Sequence, residues 1–315
     1  MIDTITIQNV VTSEQIEVSK TGSSVYVLDS IDWDECSIDF SSFSVPHQIG
    51  EFYNGVNVGT REPEITGYII ADKSAINKSG LTWDEYYNQQ LQQINDTKEQ
   101  LDKLINIYED ITVTAGEYMI TGRPTRPPKY SIKETENNTV ECYFTITIRC
   151  FNPLFYKGDR SVSLASVTDM FHFPLEIPSS GVVFGDIQQR SSIEVTNNGD
   201  VDSGCIITIT AIAGGVSDPS VYNVNTGESM GFSGVTMAVG DTITINTNTG
   251  EESAVWHKIA ENQDVSLIGY RINGSTFFKV LKGTYSYAHS VDEADVNNVA
   301  VTIAFREQYF NLRGM

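Results

Sequence analysis

The sequence predicts a mainly β protein: an N-terminal β-sandwich carrying one α-helix, followed by a C-terminal sandwich of the jelly-roll type. Three observations predict it. Residues 140–150, "VECYFTITIRC", alternate apolar and polar without a break, the signature of a half-buried antiparallel strand. Residues 82–108 carry one clear helical periodicity. From residue 192 onward, short alternating runs are separated by turn signals and no helix interrupts them, the spacing of a sandwich or jelly roll.

Taken in order, the chain starts with "MIDTITIQNV", which lacks the basic start and apolar core of a signal peptide. No run approaches the ~18 apolar residues of a membrane span. The expectation is folding in a cytoplasm, without a membrane. The helix is expected over about 83–108. Thr82 with Glu85 three residues on forms a capping box, and Leu81 with Tyr86 can staple it. Trp83, Tyr87, Leu91, Ile94, Leu101, Ile105 and Tyr108 then recur at steps of three and four, an apolar stripe suited to covering a sheet. Lys98 falls on that stripe, where its stem can pack. The spacing 87, 94, 101, 108 is also that of a coiled-coil seam, though only about three heptads long.

The strand at 140–150 runs into "RCFNPLFYKGD". Pro153 cannot donate to a ladder and pushes Asn152 toward an extended conformation, so the strand stops there. Phe151, Pro153, Phe155 and Tyr156 read as a domain junction with a buried aromatic cluster, and 157–192 is rich in Ser, Gly and Pro, as in a crossing between domains. The predicted domains are 1–158 and 159–315. In the second, "SSIEVT", "GCIITITAIA", "GDTITINT" and "VAVTIAF" alternate, and "NTGE" at 225 and 248 reads as turn chemistry. Tyr222, Trp256, Phe277 and Phe278 are a candidate sugar or partner surface, against the competing reading of core and cross-strand pairs. Phe277 and Phe278, being adjacent, must face opposite sides of a strand.

Composition narrows the function. An apolar fraction of 40% over 315 residues supports sizeable cores. Cys36, Cys142, Cys150 and Cys205 have no CxxC spacing and never approach His47, His172, His257 or His289 at ligand spacing, so reduced, buried thiols and no metal are expected. The net charge of −21 is spread over the chain, −12 for residues 1–155 and −9 for the rest. Such a chain gains nothing from phosphate by counterion release, which argues against sequence-specific nucleic-acid binding. One segment departs from this: "RPTRPPKYSIK" (123–133) holds Arg123, Arg126, Lys129 and Lys133 and no acidic residue, and is expected to make local ion pairs. There is no GxGxxG after a strand, Walker loop, HExxH or GxSxG, so no catalytic residue, cofactor or enzyme activity is expected.

The order of strand, "FNPLFY", Pro-rich crossing with "HFPLEIPSSGVVFGD", "IEVTNNGDVDSGCIITITA", "DPSVYNVNTGESM", "VGDTITINTNTG" and "VTIAFREQYFNL" resembles the distal tail proteins of long-tailed bacteriophages that infect Gram-positive bacteria. That resemblance implies a structural, non-enzymatic baseplate or tail-tip hub. Its N-terminal domain would form a hexameric ring, and its C-terminal domain would be galectin-like. The ring would sit at the virion tail tip and join the tail tube protein to tail-associated, baseplate and receptor-binding proteins in host attachment. A helix reaching Tyr108 is long for that domain. The runner-up reading is a carbohydrate-binding sandwich acting at a bacterial cell wall; a glycoside hydrolase comes third.

Overall fold

The computed structural model describes residues 2–21, 24–47, 49–72, 75–76, 80–134, 140–163, 165–169, 185–189, 192–291, 295 and 298–313. The predicted crossing "HFPLEIPSSGVVFGD" lies almost wholly outside them. The chain divides into two compact units, Met1–Tyr156 with Phe310–Met315, and Lys157–Tyr309. The last residues therefore go with the first unit, where the sequence reading placed them in the second domain.

The first unit contains β1 (Thr4–Asn9), β2 (Gln15–Ser19), β3 (Tyr26–Asp32), β4 (Ile38–Phe43), β5 (Phe52–Val58), β6 (Glu64–Ile70), α1 (Trp83–Leu104), β7 (Ile111–Ala115), β8 (Tyr118–Pro124), β9 (Lys129–Glu134), β10 (Val140–Arg149) and β11 (Phe155–Tyr156). Its main sheet runs β11-β8-β7-β1-β2-β3-β6-β10-β9. All pairings but β2–β3 are antiparallel. β10 also pairs with β8, at Ile148↔Pro124 and Arg149↔Arg123, so the sheet curls back onto itself. The alternation that predicted β10 is reproduced residue by residue: Val140, Cys142, Phe144, Ile146 and Ile148 are buried and their neighbours are not. Opposite Phe144 in the register stands Gly67 on β6. A Cβ at Gly67 would lie 2.5 Å from the Val27 carbonyl oxygen and 2.7 Å from the Phe144 ring, so only glycine lets that ring lie flat on the neighbouring strand.

The helix starts where the capping box predicted. The Thr82 hydroxyl accepts from the Glu85 N–H at 3.4 Å, and the Glu85 carboxylate accepts from the Thr82 N–H at 2.8 Å. The Thr82 N–H and, at 2.9 Å, the Thr82 hydroxyl donate to the Glu85 carboxylate and hold it below its usual pKa. Two expectations are corrected. The helix ends at Leu104, not near Tyr108: Ile105 leaves helical geometry (φ −92°, ψ 68°), and the Asn106 side chain captures the Tyr108 N–H at 3.1 Å, an Asx turn that competes with the next helical turn. The buried stripe is also turned from the expected one. Tyr86, Gln90, Ile94, Leu101 and Leu104 face inward, while Trp83 is exposed and Tyr87 and Leu91 are half-buried. The helix lies on β6 and β10. Tyr26, edge-to-face with Phe144 at 6.4 Å, donates its hydroxyl to the Thr97 carbonyl, and the Val140 N–H donates to the Gln90 side chain.

The second unit contains β12 (Arg160–Ser163), β13 (Ala165–Asp169), β14 (Gly185–Gln189), β15 (Ser192–Asn197), β16 (Cys205–Ala211), β17 (Val216–Ser217), β18 (Ser220–Asn223), β19 (Ser229–Gly231), β20 (Thr236–Met237), β21 (Thr242–Asn246), β22 (Ser253–Lys258), β23 (Gln263–Ser266), β24 (Gly283–Ser290), β25 (Val299–Phe305) and β26 (Gln308–Tyr309). Two antiparallel sheets, β12-β25-β16-β21-β22-β23 and β15-β24-β18-β19, enclose one core to which both contribute, through Ile207, Ile243 and Val301 from the first and Val195, Val221 and Tyr287 from the second. This is the predicted sandwich. Among the described residues it contains no α-helix; Ile268–Tyr270 form a short 3-10 turn. Both "NTGE" stretches are turns. Gly227 and Gly250 take φ of 77° and 87°, the left-handed region that a side chain disfavours, and Asn223 and Asn246 each accept the backbone N–H two residues on.

Candidate interaction surfaces

The predicted junction is built around Phe155 and Arg61, the second of which the sequence reading did not single out. Phe155 on β11 is 1% exposed. The Trp33 ring meets it edge-on at 5.3 Å and the Arg61 guanidinium lies 4.5 Å from its centroid. Arg61 is itself buried, at 3% exposure. Its Nη2 donates to the Phe310 carbonyl at 2.7 Å and approaches the Cys36 sulfur at 3.0 Å, and its backbone bridges Cys150 in both directions. Among the described residues no carboxylate forms an ion pair with it. A cation so placed is held by an aromatic face and a carbonyl dipole. Arg61 thereby ties together the end of β10, the chain beyond β3, the β11 aromatic and the returning C-terminal residues of the first unit. Lying in a short loop with no periodicity, Arg61 gives no sequence signal of burial.

Phe151 corrects an expectation: it is 68% exposed, not buried with Phe155. Pro153 and Tyr156 are half-buried, and the Tyr156 hydroxyl pairs with Thr121 at 2.7 Å. Asn152 accepts the Leu154 N–H at 3.1 Å, forming the turn that sends Phe151 outward.

In the second unit Tyr222, Trp256, Phe277 and Phe278 do not assemble into one platform. Phe278 is a core residue, 2% exposed and stacked on Tyr287 at 5.9 Å, which removes it from any surface. Trp256 and Phe277 pack half-buried against the core, with Lys258 4.7 Å from the Trp256 ring, Arg271 5.5 Å from the Phe277 ring, and the Trp256 indole N–H donating to Asp241 at 3.1 Å. Tyr222 belongs to the opposite sheet, on β18.

The titratable groups have the chemistry of structure. Burial pushes the Cys150 thiol up to about 12 and the Cys205 thiol up to about 11, and raises Cys142, leaving thiols that are neither nucleophiles nor ligands at neutral pH. All four cysteines are free. Glu307 on the second unit is buried, which by itself raises its pKa. Hydrogen bonds from the Asn198 backbone, Tyr309, Arg160 and the Asn198 side chain outweigh that and hold it below the usual value. Among the described residues no group of three or more His, Cys, Asp or Glu is placed to hold a metal ion, and no helix is long and apolar enough to cross a membrane. The basic segment makes the expected local pairs, Arg123 with Asp110 at 2.8 Å and Arg126 with Glu64 at 3.7 Å.

An exposed apolar surface on the first unit was not anticipated from the sequence. Among the described residues β4 and β5 pair only with each other, and both strands are almost wholly exposed. The register puts Ile38, Phe40, Tyr53 and Val56 on one face. Phe43 and Phe52 stack at 5.3 Å on the other.

The fold of the chain has a counterpart among solved structures. The chain matches the crystal structure of the SPP1 Dit (gp 19.1) protein, described as a paradigm of the hub adsorption apparatus in Gram-positive infecting phages, at a TM-score of 0.58 and 12% identity over 96% of this chain and 98% of that one. The fold is that of the SPP1 Dit protein. The Dit fold accounts for nearly the whole chain and agrees with the resemblance read from the ordered motifs. Two structures of the phage P2 baseplate in its activated conformation, with Ca and with Sr, also align, at 9% identity with TM-scores of 0.45 and 0.43, each over 96% of this chain and 98% of the matched one. No family model and no curated protein matches the sequence.

Proposed function

We propose that the protein is a structural hub of a phage tail tip or baseplate, located in the virion, with no enzymatic role. The observation that carries this is the Dit fold spanning both units, 96% of the chain, at a TM-score of 0.58. The ordered sequence motifs point the same way independently. In this reading the first unit forms a hexameric ring, and the galectin-like second unit is carried on it. The ring joins the tail tube to the adsorption proteins and takes part in host attachment. Phe151, Pro153, Phe155 and Tyr156 mark the junction. A ring needs interfaces, not a catalytic pocket, and the buried, protonated thiols and dispersed aromatics suit that need. Six copies at −21 each make a strongly acidic particle; where those charges line a channel, passing DNA does not adhere.

Light scattering behind a sizing column tests the oligomer. The expected mass is six times 34.9 kDa, about 210 kDa, at high salt where repulsion is screened. A 34.9 kDa monomer at every concentration and salt contradicts the ring, and glycan-array binding by that monomer would favour the carbohydrate-binding alternative.

A further inference from the structure

We infer that the β4–β5 hairpin is an arm that docks onto the β9 edge and basic segment 123–133 of a second copy of this chain, so that the contact repeats head to tail. The inference rests on the ring reading above and names the surfaces that build the ring.

The first argument is stability. An isolated two-stranded hairpin is marginal in water, and this one leaves its apolar face in solvent: Phe40 is 69% and Tyr53 65% exposed. With side-chain areas of about 150–250 Å² per aromatic, the one face formed by Ile38, Phe40, Tyr53 and Val56 exposes on the order of 400 Å², and Phe43 and Phe52 add apolar area on the opposite face. That is a patch of the size that marks an interaction site on a monomer, and about half of the ~800 Å² each partner gives a standard interface.

The second argument is charge. Residues 34–59 contain Asp34, Glu35, Asp39 and Glu51 and no Lys or Arg, whereas 123–133 contains four basic residues and no acidic one. In a chain of net charge −21 most surfaces of a second copy would repel the arm; in segment 123–133 Arg123 and Arg126 pair with Asp110 and Glu64, while Lys129 and Lys133 stay exposed along β9 and attract it.

Geometry supplies the third. Among the described strands β9 ends its sheet and pairs only with β10, and each strand of the hairpin likewise has one edge without a strand partner. Two open edges satisfy each other's backbone groups by strand addition. Lys129 and Lys133 are exposed along β9, and Ile132 between them is 48% exposed, an apolar contact for the arm. Arm and edge are different surfaces of the same chain, so the contact is heterologous and makes a ring where its rotation closes.

The test measures the concentration for half-assembly of the full chain by light scattering, with melting temperature as a control for folding. Phe40→Asp is expected to abolish assembly with an unchanged melting temperature; Tyr53→Ser is the second variant should the first unfold. Asp39→Lys and Lys129→Glu alone should each raise the half-assembly concentration at least about tenfold, and the double variant should recover most of that loss. A wild-type chain that never assembles overturns the ring reading and this inference with it. A ring that persists in Phe40→Asp and in both reversals overturns the arm alone. Loss in both single variants without recovery in the pair shows that the two surfaces are not partners.

Discussion

Truncating Phe155 tests the junction at its centre. The ring is 1% exposed, with Trp33 edge-on at 5.3 Å and the Arg61 guanidinium 4.5 Å from its centroid. Phe155→Ala removes a fully buried aromatic, worth about 3–5 kcal/mol in transfer and cavity terms. The edge-on pair and the cation above the ring belong to the same environment and partly overlap that figure, so the expectation stays near 4 kcal/mol and does not rise with each added contact. For a unit of this size, at roughly 2–4 °C per kcal/mol, the melting transition should fall by about 10–15 °C. In urea, with a slope of roughly 2 kcal/mol per M, the midpoint should fall by about 2 M. Phe155→Leu keeps most of the buried area and loses the aromatic contacts, so it should cost about 1–2 kcal/mol. Calorimetry is the suitable assay, because the transition of the first unit should move while that of the second stays in place. A shift below about 2 °C in Phe155→Ala would refute the reasoning, since a residue with these neighbours cannot be removed without leaving a cavity.

Three further outcomes are expected. Leu101→Asp should yield unfolded or insoluble protein, because it buries an unpaired carboxylate on the helix face against β6 and β10, while Asn95→Asp on the exposed face should shift the melting temperature by no more than about 2 °C; equal damage from both would contradict the observed helix face. Under native conditions a thiol-reactive probe should modify only Cys36, with Cys142, Cys150 and Cys205 reacting after denaturation, and labelling of Cys150 in folded protein would contradict its burial. Because the Glu307 carboxyl is held below its usual value of 4.5, its contribution to the stability of the second unit should be fully present at neutral pH and fall away as pH drops below about 4.5, through the folded-state value; the stability gap between wild type and Glu307→Gln should narrow over that window, and a gap constant with pH would contradict the assignment.

How much of this was legible in the sequence depends on the range of the interaction concerned. β10 could be read because its alternation is set by the two sides of one sheet, and the helix start because Thr82 and Glu85 satisfy each other locally. The helix face was misread by part of a turn. Trp83, Tyr86 and Tyr87 are all aromatic, and which of them goes inward depends on where β6 and β10 lie beneath the helix, information that periodicity does not carry. The end of the helix was missed because Tyr108 continues a seven-residue spacing, while a local Asn106 hydrogen bond stops the helix four residues earlier. Phe155 was recognisable by its place after Pro153, but Phe151 was not separable from it until the Asn152 turn was seen. Arg61 could not be found at all, since its partners Cys36, Phe155 and Phe310 are brought together only by tertiary structure. The arm had a signal that went unread: Ile38, Phe40, Val56 and Val58 alternate through a stretch with no Lys or Arg, the pattern of a hairpin with one face meant to be covered.

Electron microscopy of the purified full-length chain tests the hub account most directly. The account predicts six-fold rings with an open central channel, the first unit forming the closed ring and the second unit carried outside it. Single 34.9 kDa particles at all protein and salt concentrations, or an assembly closed by the second unit alone, would contradict it.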